Sequence, residues 1–177
     1  MLPPQVIDTE RLRLRSAFES DAEAIFAAYG QDHDVTMYLA WRPSGKLEDT
    51  REHLRLTAKA RDEGKALQWV ILRKDDEALL GMIGGRIDGH KVELGYVLAK
   101  AYWNKGYMTE AVRAVIDWAL REPDIFRVWA VCDIENPASA RVMEKVGMKR
   151  EGVLRRWSIH PTRSADPRDC YSYAITK

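Results

Sequence analysis

A chain of 177 residues is about one domain long, at roughly 150 residues per domain, and is long enough to bury a core. Its 46% hydrophobic and 31% charged residues exclude a disordered chain and describe a protein that folds in water. Twenty-eight Lys and Arg against 27 Asp and Glu leave a net charge of +1, so charge alone does not hold it to nucleic acid or to an anionic membrane.

The chain opens Met-Leu-Pro-Pro-Gln, without a basic run and an apolar stretch behind it, and nowhere do about 18 apolar residues run together. A cytoplasmic location with no membrane partner is the expectation. Val6 to Ser16 sets Leu12 and Leu14 against Arg11, Arg13 and Arg15, the period-two pattern of one strand with a buried face. Ser20 and Glu23 have capping-box spacing, and Ala22, Ile25, Phe26 and Tyr29 continue one helical face. After a loop at Trp41 to Gly45, Asp49 with Glu52 predicts the start of a second helix, running through Leu54 and Ala58 toward Gly64. Leu67 to Arg73, Ala78 to Ile87 and Val92 to Leu98 are short apolar runs joined by Asp75-Asp76 and Asp88-Gly89, an antiparallel meander. From Gly106 the period becomes helical (Ala111, Val112, Val115, Ile116, Ala119) and stops before Pro123; Phe126 to Cys132 follows as a buried strand. Asn136-Pro137 pairs an N-cap with a proline at the first helical position, and Gly147 closes that helix. Strands near Lys149 to Trp157 and Cys170 to Thr176 end the chain. The order βααβββαβαββ specifies a mixed sheet with helices on its faces, α/β or, by stricter bookkeeping, α+β.

Two segments invite chemistry. Tyr102 to Glu110 lies between a strand and a strongly periodic helix, where free backbone N–H groups and the positive end of the helix dipole suit an anion, and Gly106 permits close approach. It is neither GxxxxGK[ST] nor GxGxxG, so neither a P-loop nor a dinucleotide fingerprint is met, and a glycine before a helix is also an ordinary tight turn. The second segment is Asn136-Pro137-Ala138-Ser139-Ala140-Arg141-Val142-Met143-Glu144-Lys145-Val146-Gly147-Met148.

An EhGYhh strand leading into YWxKGYxTEA, followed by ENPASxRVMEKxGM, resembles the GCN5-related N-acetyltransferase (GNAT) superfamily. Within it the chain is most similar to the RimJ/RimL-like, ribosomal-protein-type branch, as is the opening Thr9-Glu10-Arg11-Leu12-Arg13-Leu14-Arg15 with Asp21-Ala22. The resemblance spans nearly the whole chain and implies one N-acetyltransferase domain over residues 1–177. It implies a mostly antiparallel sheet of about seven strands, splayed between the fourth and fifth, with about four helices. Pantetheine would enter the splay like an added strand beside Tyr96, Val97 and Leu98. The pyrophosphate turn maps to Trp103, Asn104, Lys105, Gly106, Tyr107 and Met108, continuing to Thr109; Trp103 stands where Gln or Arg is usual and Met108 where Gly or Ala is usual, which puts crowding of the turn in question. Asn136 and Ser139 match the family's Asn-x-x-Ser facing the pantetheine arm and thiol, and Arg141 joins them. Asn136 also serves as a helix cap.

The implied co-substrate is acetyl-CoA, with no metal, and the implied partner is an amine acceptor, peptide or small molecule. A homodimer is compatible with the chain, and nucleic acid and membrane are not expected. Glu93 lies on the strand beside the acetyl group and matches the acidic position that serves relatives as base; read from the strand alone, it is a carboxylate on a solvated edge. The Tyr that many relatives use to reprotonate the thiolate is Met143 here, so Ser139 becomes the candidate acid. Backbone donors around Leu98 are placed for the oxyanion. A non-catalytic acyl-CoA-binding or sensor module is the competing class, motivated by Met108 and Met143. The superfamily's acceptor specificity lies in segments matching Gly30–Leu67 and Trp157–Cys170, which carry no motif here.

Cys132 and Cys170 lack CxxC or His spacing and read as free thiols in a reducing compartment; Cys132, in an apolar run with no neighbouring base, is a poor acyl carrier. His33, His53, His90 and His160 are scattered and read as surface histidines, not metal ligands. Trp69, Trp118 and Trp129 fall in apolar runs and are expected in the core, whereas Trp41 and Trp157 are expected to wall a substrate cleft. Arg155, Arg156, Arg163 and Arg168 make the C-terminal segment basic, a feature that suits an acidic substrate or a solvated face.

Overall fold

Leu12 and Leu14 are fully buried while Arg13 is exposed, so the period-two reading places β2 (Leu12–Ser16) correctly against the core. The computed structural model describes residues 3–177. The predicted single strand from Val6 to Ser16 is in fact a hairpin: β1 (Val6–Asp8) folds back antiparallel on β2, with Ile7 opposite Leu14. Thr9 makes the turn, its hydroxyl oxygen accepting the Leu12 N–H at 3.0 Å and its own N–H donating to the Leu12 carbonyl at 2.9 Å. Alternation continues through both arms, so periodicity does not register a turn made by one side chain.

The first helical segment also starts from a different cap. The Asp21 carboxylate accepts the Phe18 N–H at 2.8 Å, opening a 3₁₀ turn (Glu19–Asp21) that runs into α1 (Ala22–Ile25) and a π turn (Phe26–Gly30); the Ser20–Glu23 spacing plays no part. A short α2 (His33–Thr36), too brief to show a period, follows an Asp32 cap that accepts from the N–H groups of Asp34 and Val35. α3 (Leu47–Asp62) begins before Asp49, whose carboxylate reaches back to the Lys46 N–H at 3.2 Å.

The meander β3 (Ala66–Arg73), β4 (Leu79–Asp88) and β5 (Lys91–Leu98) pairs antiparallel as read. Then follow α4 (Tyr107–Arg121), β6 (Arg127–Asp133), α5 (Pro137–Lys145), β7 (Lys149–Ser158) and β8 (Arg168–Thr176). Among the described residues one sheet of eight strands results, in the order β1-β2-β3-β4-β5-β6-β8-β7, with β5–β6 as its parallel pair. The hairpin supplies the eighth strand and α2 the fifth helix.

The sheet buries both faces. On one, α4 lays Ala111, Val112, Val115, Ile116 and Ala119 over Leu12, Leu14, Trp69, Leu94 and Val128, with Met143 of α5 alongside. On the other, α1 and α3 bring Ala22, Ile25 and Leu54 to Val70, with Val97 packed against them. Trp69 sits at the centre of the first core, edge-on to Trp118 at 5.6 Å. Trp129 differs from its expected core position and is half-buried, because its neighbours Val128 and Ala130 take the α4 face and alternation turns it to the other.

β5 meets its two neighbours very differently. A Cβ on Gly85 would lie 1.9 Å from the Glu93 carbonyl oxygen and one on Gly81 2.1 Å from that of Val97, so β5 lies against β4 more closely than any side chain permits. On its other edge β5 pairs with β6 through Lys91↔Arg127, Val92↔Val128 and Glu93↔Trp129, and there the ladder stops.

Candidate active site

Beyond Glu93 and Trp129 the two parallel strands part, and the opening is the centre of a cleft of about 990 Å³. Leu94–Leu98 of β5 and, on β6, Val131 and Cys132 line it, and the two segments do not pair with each other there. Each is held in the sheet only by its outer neighbour, β4 or β8. Backbone groups along such a parted edge are open to a strand-like ligand.

The turn before α4 closes one end. Asn104 and Gly106 both adopt positive φ, +60° and +79°, and Gly106 is the cap residue from which α4 starts, leaving its first N–H groups directed at the cleft. Trp103 donates its indole N–H to the Leu98 carbonyl at 2.7 Å, tying the turn to the end of β5. Met108 does not crowd this turn: its side chain is buried in the α4 core. Of the expected cofactor residues, Trp103, Asn104, Gly106, Tyr107, Met108, Thr109, Tyr96, Val97, Leu98, Asn136, Ser139 and Arg141 all line the cleft. The Lys105 side chain turns back to the Ala101 carbonyl at 2.9 Å.

A tie that sequence reading missed fixes the N-terminus of α4. Glu110 accepts from the Thr9 hydroxyl at 2.7 Å, from the Arg11 N–H at 2.9 Å and from Arg11 Nε at 2.7 Å, while Arg11 Nη1 donates to the Lys105 carbonyl at 3.1 Å. Burial raises the Glu110 pKa, but the bonds from Thr9 and Arg11 outweigh it and hold the carboxyl below its ordinary range. The Thr-Glu-Arg opening and the TEA of the α4 turn are thus two halves of one contact, some hundred residues apart in sequence.

The α5 side of the cleft is built from Asn136 and Ser139. The Asn136 side chain accepts the Ser139 N–H at 3.1 Å, as a helix cap. The Ser139 hydroxyl lies 2.8 Å from the Tyr96 hydroxyl across the splay, so β5 and α5 meet through two hydroxyls. Burial pushes the Tyr96 pKa upward, keeping its proton. Met143, at the position of the missing tyrosine, is fully buried and outside the cleft. Glu93 lines the cleft at the point where the strands part and pairs with Arg86 of β4 at 3.0 Å. Burial pushes the Cys132 thiol up to about 12, which holds it in the protonated form.

The loop and strand ends toward the C-terminus form the far wall. Trp157 reaches the cleft, whereas Trp41 does not and its neighbour Ala40 does. Arg155 pairs with Asp169, Arg163 with Glu135, and Arg168 with both Asp133 and Glu135, which neutralises most of the basic segment. His160 departs from the surface expectation: it is 5% exposed, packed edge-on to Tyr38 with ring centres 6.4 Å apart. His33, His53 and His90 are exposed. Burial of His160 comes from a distant segment crossing over it, which no local pattern encodes. Among the described residues no cluster of His, Cys, Asp and Glu has metal-binding geometry, and no helix is long and apolar enough to cross a membrane.

A mixed sheet parted between its parallel strands, with a helix N-terminus at one end of the parting and an Asn-capped helix along it, defines a class. The Acetyltransferase (GNAT) domain family model matches residues 11–149, and the chain belongs to that family. It is similar to the uncharacterized N-acetyltransferase YoaA of Bacillus subtilis, 31% identical over 175 residues, with 97% of each chain covered. A GNAT-family acetyltransferase from Bacillus anthracis superposes with a TM-score of 0.84 at 32% identity, covering 97% of this chain and 98% of that one. RimL, a ribosomal L7/L12 alpha-N-protein acetyltransferase in complex with coenzyme A, shares the fold, with a TM-score of 0.87 at 23% identity and 97% of each chain covered.

Proposed function

We propose that the protein transfers the acetyl group of acetyl-CoA to a primary amine, either a protein N-terminal α-amine or a small-molecule amine, by direct attack in a ternary complex. The observation that carries this reading is the parting of β5 from β6 after Glu93 and Trp129, which leaves an opening lined at one end by the turn before α4. The RimL-like resemblance and the coenzyme A complex of RimL support the choice of ligand. Acetyl-CoA supplies the reactive thioester. The chain supplies position: the edge at Tyr96, Val97 and Leu98 for the pantetheine arm, the 103–109 turn for the pyrophosphate, and Asn136, Ser139 and Arg141 along α5.

Glu93 is proposed as the base that removes a proton from the attacking nitrogen, and Ser139, with the protonated Tyr96 hydroxyl behind it, as the acid for the departing thiolate. The Arg86 partner is itself largely solvent-exposed, so the pair opens at little cost. A modest carboxylate suits an α-amine of pKa about 7.7–8.0 better than a lysine near 10.4, a difference of roughly 3 kcal/mol in deprotonation. One observation favours a second reading, a non-catalytic acyl-CoA-binding module: Glu93 is paired rather than free.

Thiol release from acetyl-CoA across peptides, polyamines, aminosugars and amino acids decides between them. Glu93→Gln is expected to lose turnover by about 100-fold or more while keeping acetyl-CoA affinity. Asn136→Ala is expected to lose affinity and about 1 kcal/mol of stability through the cap. Binding without turnover on every acceptor would favour the sensor reading, and absence of acetyl-CoA binding would remove both.

A further inference from the structure

His160 is a buried side chain whose chemistry the fold does not use. The loop after β7 pins its backbone, the carbonyl accepting from the N–H groups of Arg163 and Ser164, both at 2.8 Å. Its ring is 5% exposed, lines the cleft, and makes no hydrogen bond through either nitrogen. Nε2 stands 3.6 Å from Asp133 Oδ2, but that carboxylate is already taken by Arg168 and by the Glu135 N–H at 2.8 Å. The other groups around the ring are Tyr38 beyond α2, the Leu39 backbone, Arg163 in the same loop and Arg168 on β8, the two arginines being paired in turn with Glu135. Buried polar atoms are nearly always paired, so an imidazole on a cleft wall with neither nitrogen in a completed hydrogen bond is arranged for something that enters the cleft.

Strand alternation fixes which side of the cleft this is. Leu94 and Cys132 turn to the α4 and α5 core, so Glu93 and Asp133 turn to the opposite face, toward the segment around α2. His160 therefore stands on the same side as Glu93, away from the Tyr96–Ser139 pair. Burial lowers the imidazole pKa, the charges of Arg168 and Arg163 act in the same direction against the opposing pull of Asp133, and the ring stays neutral with a lone pair available.

We propose that His160 takes the proton that the protonated acceptor amine must lose before attack, and that the acceptor nitrogen therefore enters between Tyr38, His160 and Trp157. This rests on the acetyl-transfer reading above. An N–H bond of the ammonium breaks, its electron pair stays on nitrogen, and the proton passes to a ring nitrogen and then to water at the open mouth. That lone pair forms the C–N bond as the C–S bond breaks. The neutral amine moves on from His160 to the thioester, its nitrogen gives the second proton to Glu93, the sulfur takes one from the Ser139 side, and the proton on Glu93 returns to that side through solvent, so one proton is released overall.

The test uses peptides beginning Ser, Ala or Met, and glycinamide, as acceptors for the full chain. Wild-type kcat/KM is expected to show an acid limb below about pH 6.5. His160→Gln is expected to lower kcat by about 100-fold with acetyl-CoA affinity unchanged, to abolish that limb, and to recover partly with added imidazole. A His160→Gln profile superposing on wild type overturns the assignment. Where that variant fails to fold, ¹⁵N resonances of the wild-type imidazole serve instead: they shift with glycinamide but not acetamide in the presence of coenzyme A, and an unmoved ring overturns the proposal. No turnover by wild type on any amine removes the acetyl-transfer reading and this one with it; turnover indifferent to His160 removes this one alone.

Discussion

Tyr96 and Ser139 meet as two hydroxyls 2.8 Å apart, one on a strand and one on a helix, and neither is informative without the other. Ser139→Ala and Tyr96→Phe are each expected to lower kcat by about 10- to 100-fold while acetyl-CoA affinity stays within about a factor of ten. Pre-steady-state measurement of thiol release checks this, and a Tyr96→Phe enzyme as fast as wild type would reduce Tyr96 to a packing residue. His160 makes a second claim at this scale, on stability. Its folded-state pKa is lowered by burial, so the folded chain binds its proton less readily than the unfolded chain does. Its contribution is complete above the unfolded value of about 6.5 and is lost as pH falls below that toward the depressed folded value. Melting temperatures are expected to climb with pH up to about 6.5, and His160→Gln to flatten that climb. Glu110 and Asp133 follow the same sign lower down, their stabilisation fading as pH falls below the ordinary carboxylate range.

At the scale of elements, the close contact of β4 and β5 sets the line of the cleft. Gly85→Ala would drive a methyl group into the Glu93 carbonyl, 1.9 Å from the ideal Cβ position. The cost is expected at about 1–3 kcal/mol by denaturant unfolding, and acetyl-CoA binding should weaken with it, because β5 must shift toward the opening. Gly95, whose Cβ would meet nothing, is the control for a glycine lost without a clash. The α4 N-terminus illustrates the complementary device: a helix end prepared for an anion is held in place by Glu110, which binds the β1–β2 turn through Thr9 and Arg11. The opening Thr-Glu-Arg motif is accounted for as a clamp on the pyrophosphate turn proposed above.

For the molecule as a whole, length, balanced charge, the period-two and helical stretches and the Asn-Pro cap established one mixed sheet with helices on both faces. Those signals are local, because alternation, periodicity and capping act within a few residues. The paired motifs at 102–110 and 136–148 led to the acetyltransferase family for the same reason: each lies within one turn or one helix. Where competing interactions came from a neighbouring side chain, local reading slipped, as at the Thr9 turn, the Asp21 cap and the early start of α3. What tertiary structure alone decided was every pairing between distant segments: Thr9 and Arg11 with Glu110, Tyr96 with Ser139, Asp133 with Arg168, and His160 buried beside Tyr38. Chain periodicity records which face of an element is apolar, but not which element will cover it. The family and the sheet were therefore legible in the sequence, whereas the chemistry of the acceptor wall depended on burial and contact that only folding creates.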